Sequence, residues 1–270
     1  MTKKISRLAS LTLLEIAVGA AAFPALAADM PMKAPAPIAA PAYSWTGFYV
    51  GAHAGYRWGN ADFTGRAYSF DPDGPGGIST INFPARNEGY NLNGGIIGLH
   101  GGYNYQFAPN WLAGIEGDWT WGNGSDDRSS LLTVQSGDGN AYRLGDGSEV
   151  KLGWQATIRG RLGYVQGPWL FYGTGGVAFI RAKWSDATTL TSTSGTILAS
   201  AASSASKTLT GYVVGAGFEY MFNRNWIGRV EYLYENFGSF DVPFGFGQTG
   251  TLDVGDVQKV RVGISYKFGP

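Results

Sequence analysis

Val257-Gln-Lys-Val-Arg-Val-Gly-Ile-Ser-Tyr-Lys-Phe268 decides the fold. Read with a period of two, Val260, Val262, Ile264, Tyr266 and Phe268 share one face, and Lys259, Arg261, Ser265 and Lys267 share the other. A water-soluble sheet can alternate in this way. Here the alternation recurs along the chain with aromatic residues at both ends of the apolar face, which describes a wall with lipid outside and a polar interior.

Working back from this segment, the same period yields further strands. Phe48, Val50, Ala52, Ala54, Tyr56 and Trp58 oppose Tyr49, Gly51, His53, Gly55 and Arg57. Ile97, Leu99, Tyr103, Tyr105 and Phe107 oppose His100, Asn104 and Gln106, and Trp111, Ala113, Ile115, Trp119 and Trp121 oppose Glu116, Asp118 and Thr120. A fourth strand places Leu152, Trp154, Ala156, Ile158, Leu162 and Tyr164 outside, with Lys151, Gln155, Thr157, Arg159 and Arg161 inside. The fifth, residues 169–184, is glycine-rich and its facing stays open. The sixth puts Tyr212, Val214, Ala216, Phe218, Tyr220 and Phe222 out and Glu219 in; the seventh puts Val230, Tyr232 and Tyr234 out and Arg229, Glu231 and Glu235 in. With the last segment this makes about eight strands. The fold expected is all-β, an eight-stranded antiparallel up-and-down transmembrane β-barrel.

The connections alternate too. Residues 107–111, 166–169 and 222–226 are short turns carrying Pro or Asn, whereas 59–91, 122–150, 185–207 and 238–255 are long and polar, with 188–206 expected to be mobile. Short turns on one side and long loops on the other fit an outer-membrane barrel whose short side, with both chain ends, faces the periplasm. Tyr105, Phe107, Trp111, Tyr164, Trp169, Phe222, Trp226 and Phe268 form an expected aromatic girdle near the short turns; Trp58, Trp119, Trp121, Trp184 and Tyr234 form one near the loops.

Composition agrees with this reading. Formal charge is zero and cysteine is absent, so disulfide frameworks, catalytic-cysteine chemistry and nucleic-acid partners are not indicated. Residues 1–27 read as a signal peptide, with Lys3, Lys4 and Arg7 before an apolar run and Ala25-Leu26-Ala27 before cleavage. Residues 28–44, carrying Pro31, Pro35, Pro37 and Pro41, read as an extended periplasmic linker, and 45–270 as the barrel domain. Beyond the signal no apolar run of about 18 residues remains, so a membrane crossing requires closed strands.

The inward set contains Arg57, Glu116, Asp118, Arg159, Arg161, Glu219, Arg229, Glu231, Glu235, Lys259 and Arg261. A barrel of about eight strands is just wide enough for side chains to fill it. Both charge signs are present, which favours a paired polar core, structural in role, with a narrow gated ion path as the alternative. Turn lengths bring Glu219 opposite Arg229 and Glu231 near Arg261. His53 and His100, inward on adjacent strands, raise an acid–base or metal pair, weighed against two histidines satisfied in a polar lumen. Gly173-Thr-Gly-Gly-Val-Ala178 matches a dinucleotide glycine pattern but lacks its strand–turn–helix setting. The acidic stretches around Asp71, Asp73, Asp126, Asp127 and Asp138 lack calcium-loop spacing. No cofactor is expected, and no enzymatic site; a lipid-modifying or hydrolytic enzyme is the weakest reading.

Six further stretches carry a family resemblance together with the opening Trp45-Thr-Gly-Phe-Tyr-Val-Gly-Ala-His-Ala-Gly-Tyr-Arg-Trp-Gly59: Gly101-Gly-Tyr-Asn-Tyr-Gln106, Gly114-Ile-Glu-Gly-Asp118, Ile158-Arg-Gly-Arg-Leu-Gly-Tyr164, Tyr172-Gly-Thr-Gly-Gly-Val-Ala178, Val230-Glu-Tyr-Leu-Tyr234 and Val260-Arg-Val-Gly-Ile-Ser-Tyr-Lys-Phe268. They resemble the small alphaproteobacterial outer-membrane β-barrel proteins, often called outer-membrane immunogenic or porin-family proteins. The resemblance implies a barrel similar to the membrane domain of OmpA and a surface-exposed structural protein of the Gram-negative envelope. A small porin or ligand-binding barrel is the alternative it leaves, and no residue motif for those activities carries over. It also implies a terminal assembly signal, Tyr266 and Phe268, read by the barrel-assembly machinery. Gly269-Pro270 after that aromatic departs from the family pattern. Expected partners are outer-membrane lipid, lipopolysaccharide and, through the loops, host or phage molecules.

Overall fold

A computed structural model describes residues 43–71, 80–136 and 139–269. The expected signal peptide, most of the linker, and Asp73 and Asp138 lie outside these residues. Twelve strands are present among the described residues: β1 (Gly47–Gly65), β2 (Tyr68–Phe70), β3 (Ile81–Phe83), β4 (Arg86–Asn91), β5 (Gly94–Ala108), β6 (Trp111–Gly122), β7 (Gly124–Gln135), β8 (Ala141–Gln166), β9 (Trp169–Ser192), β10 (Ile197–Met221), β11 (Trp226–Phe244) and β12 (Gln248–Lys267). Eight of them, in the order β12-β11-β10-β9-β8-β6-β5-β1, pair as antiparallel neighbours, and β1 pairs back onto β12 to close the ring. Closure leaves no strand edge facing lipid, where an unpaired backbone group has no partner.

The outer face is the apolar set. Phe48, Val50, Ile97, Leu99, Ile115, Ile158, Leu162, Val214, Val262 and Ile264 are exposed, as lipid contact requires. The short-turn girdle has the expected members, all exposed. At the other end Trp58, Trp119 and Trp121 are exposed, and Trp119 stacks on Trp154 at 4.7 Å. Trp184 does not belong to that girdle, because it points into the barrel and is fully buried.

One strand is half out of its expected phase. Lys151 is exposed and Leu152 buried, the reverse of the facing read from sequence. The β8–β9 register shifts between Leu152 and Gln155, and the extra residue in this bulge turns Leu152 and Gln155 to the same side.

Most of the expected long loops are strand. β9 and β10 stay paired from Trp169↔Tyr220 up to Thr191↔Ile197, so the Ser/Thr/Ala segment within 188–206 is a hairpin and not an irregular loop. β11 and β12 stay paired up to Phe244↔Gln248. Above the lipid zone β1 leaves β5 and pairs β4, while β8 leaves β6 and pairs β7. The wall therefore continues outward, but β4 and β7 do not pair with each other. Side chains bridge this seam: Arg128 donates to the Gly89 carbonyl at 2.8 Å, and the Asn91 amide donates to Asp126 at 2.8 Å.

Candidate functional site

The barrel interior is layered. Next to the short turns, Trp45, Leu112, Val165, Leu170, Tyr172, Met221 and Ile227 form an apolar layer. Trp45, two residues before β1, crosses the mouth: its backbone N–H donates to Gln106 Oε1 at 3.3 Å and its indole N–H to the Gly167 carbonyl at 3.5 Å. Sequence reading used Trp45 only as the start of a strand motif. Its placement in the lumen depends on the chain bending inward ahead of β1, which periodicity does not register.

Above this lies the charged layer. Arg159 binds Glu231 at 2.9 Å, Glu116 at 2.5 Å and Asp118 at 3.1 Å. Arg161 binds Glu219 at 2.8 Å and the Tyr49 hydroxyl at 2.9 Å, with its guanidinium 4.0 Å over the Tyr172 ring. Arg229 joins Glu116 at 2.6 Å and Glu219 at 2.7 Å, and Arg261 joins Glu231 at 2.6 Å and Asp118 at 3.3 Å. These eight groups are four guanidiniums and four carboxylates, all buried, so their formal charges cancel. Tyr49 donates to Glu116 at 2.6 Å, and Gly102 gives it room: a Cβ there would lie 2.6 Å from the Tyr49 hydroxyl oxygen. Every barrel strand supplies a buried polar group at this level, including Tyr49 on β1, His100 on β5 and Tyr172 on β9.

Lys259 and Glu235 form a separate pair at 2.6 Å, with Gln155 accepting from Lys259 and donating to Glu235. Arg57, the eleventh of the inward charges, joins neither group: it is buried, and its three nitrogens find no hydrogen-bond partner among the described residues. The Glu219–Arg229 and Glu231–Arg261 pairs are direct cross-strand neighbours in the β10–β11 and β11–β12 registers. Turn length placed them correctly.

His53 and His100 meet with their Nδ1 atoms 3.3 Å apart. His53 Nε2 lies 3.0 Å from the Thr120 hydroxyl and 3.4 Å from Arg261 Nη1. Arg261 can only donate, so His53 Nε2 accepts, its Nδ1–H donates to His100 Nδ1, and His100 Nε2–H donates to the Ser265 hydroxyl at 2.7 Å. All four ring nitrogens are thereby used in a chain that runs from β12 to β6. No group of three or more metal-ligating side chains occurs among the described residues.

A second apolar layer, including Phe63, Ile180, Trp184, Leu233, Phe244 and Val254, closes the lumen on the outer side. Beyond it, outside the membrane zone, Arg86 gathers three carboxylates: Asp146 at 2.6 Å, Glu88 at 2.9 Å and Asp186 at 3.0 Å. It ties β4 to β8 and β9, while Asp186 also accepts from the Gly245 amide of the β11–β12 turn. Burial pushes the Glu88 carboxyl up, but hydrogen bonds from Tyr90 and Ser148 and the charge of Arg86 outweigh this and hold it below its ordinary range. Asp146 goes the other way: burial, helped by the nearby Asp186 and Glu88, exceeds the pull of Arg86 and Thr188 and raises it. One cation among three anions explains the opposite signs.

Residues 16–268 match the model of the outer membrane protein beta-barrel domain. The chain belongs to this family. It is 34% identical to the 31 kDa outer-membrane immunogenic protein of Brucella melitensis, across 90% of this chain and 93% of that one. It is 30% identical to the 25 kDa outer-membrane immunogenic protein of Brucella abortus, across 99% of each, and 32% identical to a 22 kDa outer membrane protein of Rhizobium leguminosarum bv. viciae, across 84% of this chain and 80% of that one. Family membership places the barrel in the outer membrane as a structural β-barrel protein, with the short turns and the strand ends at Gly47 and Lys267 on the periplasmic side. The names of these relatives describe outer-membrane proteins and no enzyme.

Proposed function

We propose that this outer-membrane protein is a closed structural barrel that strengthens the envelope and presents β-hairpins outside the cell, with neither a solute path nor a catalytic site. The observation that carries this reading is the stacking of a charge-balanced ion network between two apolar layers. Ions entering such a lumen would have to shed water against Trp45 and its neighbours on one side and against Trp184, Phe63 and Phe244 on the other. The histidine pair supports the non-catalytic reading, since every ring nitrogen is engaged in holding four strands together. The word immunogenic in the relatives' names agrees with surface display. Lipid and lipopolysaccharide would contact the apolar wall and its girdles, the assembly machinery would read Tyr266 and Phe268, and host or phage molecules would meet the hairpins.

The test is complementation. A strain lacking the protein should become sensitive to detergent and large antibiotics. Resistance should return with the full chain and with a form whose hairpins are shortened to the lipid zone. Recovery only with full-length hairpins would move the function from the barrel to the surface structures, and an unaltered deletion strain would remove the envelope role.

A further inference from the structure

We propose that Arg57 holds a small monovalent anion of chloride size inside the barrel. Its side chain is buried, and none of its Nε, Nη1 and Nη2 atoms has a hydrogen-bond partner among the described residues. Arg57 stands opposite Lys259 across the β1–β12 register, so the residue paired with it on the neighbouring strand is another cation. Like charges at such a position repel. The carboxylate at this level, Glu235, acts on Arg57 through charge alone: it makes no hydrogen bond to the guanidinium and is bound by Lys259 and Gln155. The eight-group network is neutral and the Lys259–Glu235 pair is neutral, which leaves the layer with one positive charge, that of Arg57.

A buried unpaired ion is among the costliest arrangements in a protein interior, and one counter-charge removes the cost. A guanidinium offers a planar fork of donors suited to an anion. The site is also shaped around this side chain. Gly122 and Gly124 flank it, and a Cβ on Gly124 would lie 2.6 Å from Arg57 Nη2 and 2.8 Å from the Leu92 carbonyl oxygen. The absence of a side chain at these glycines is what admits the guanidinium, and packing this close favours a small ligand. Gly124 begins β7 and Leu92 follows β4, so Arg57 sits at the foot of the seam where those two strands stay unpaired.

The experiment uses the refolded full-length protein. At constant ionic strength, chloride in place of gluconate should raise the urea midpoint, linearly in the logarithm of chloride concentration above the dissociation constant, with the folding equilibrium constant increased about tenfold when chloride is ten times its dissociation constant. Crystals grown in bromide should give an anomalous peak against the Arg57 guanidinium, and Arg57→Met should lose both the peak and the chloride dependence. Equal stability in the two salts, or a chloride dependence that survives in Arg57→Met, overturns the proposal. Absence of a bromide peak beside Arg57 in the unaltered protein overturns it too, and that result stands even if Arg57→Met does not fold.

Discussion

Replacing Glu116 by Gln removes the carboxylate on which four arginines converge. Arg159, Arg161, Arg229 and Arg261 lie at 2.5, 3.4, 2.6 and 3.7 Å from its oxygens, and the Tyr49 hydroxyl donates to it as well. The variant keeps the shape of the side chain but turns one acceptor oxygen into an NH2 donor facing arginine N–H groups, and it leaves four guanidiniums against three carboxylates in a layer closed to water on both sides. Breaking a buried pair in this way costs about 3–5 kcal/mol, because the surviving charge stays desolvated. Adding Arg161→Met restores the balance, and Arg229 still holds Glu219 at 2.7 Å. The double variant should therefore recover most of the loss. Urea unfolding in detergent micelles, followed by tryptophan fluorescence and by heat-modifiable gel mobility, measures both differences. A single variant that loses less than about 1 kcal/mol, or a double variant that loses the sum of the two singles, would refute charge balance as the source of lumen stability.

Trp45→Ala empties the centre of the periplasmic apolar layer and should cost about 3–5 kcal/mol by the same urea titration, with Trp45→Phe recovering part of it; a neutral Trp45→Ala would mean that the indole is not a seal. In the outer cluster, folded Asp146 keeps its proton to a higher pH than the unfolded chain does, so its ionisation disfavours the folded hairpins. Protease resistance of the hairpins should accordingly increase as pH falls from 7 toward about 4, and Asp146→Asn should remove that increase. Glu88 has the opposite sign, since its contribution is present above its unfolded pKa and lost only as pH falls through the depressed folded value, so Glu88→Gln should loosen the hairpins at pH 7. Asp126→Ala with Arg128→Ala removes both seam bridges; amide exchange at Asn91 should accelerate while that of Glu231 stays slow. Equal acceleration at both would show that the seam and the barrel open together.

The lower barrel was legible because each of its strands lies between two chemically opposite media. Along β6, Ile115, Trp119 and Trp121 meet lipid while Glu116, Asp118 and Thr120 meet the polar lumen, so a period of two separates them. The charge pairs at Glu219–Arg229 and Glu231–Arg261 followed from the same alternation plus a turn length. Legibility fails where the contrast fails. On upper β9 the inward residues Ala178, Ile180, Ala182 and Trp184 are as apolar as any lipid-facing set, so Trp184 was assigned to the girdle. On β7, residues 129–133 are exposed on both faces and no alternation arises. The β8 bulge shifts the phase without any Pro or charge to mark it, which misplaced Lys151 and Leu152. That Arg57 makes no hydrogen bond is equally hidden, because periodicity gives the side a charge faces and not the distance to its partner.

Planar-bilayer conductance of the refolded protein, with folding first verified by heat-modifiable mobility, tests the sealed lumen most directly. A folded protein that remains electrically silent is the expected result. Reproducible ion-selective steps that change with Arg159→Ala would contradict it, since current would then be passing through the charged layer between the two apolar seals.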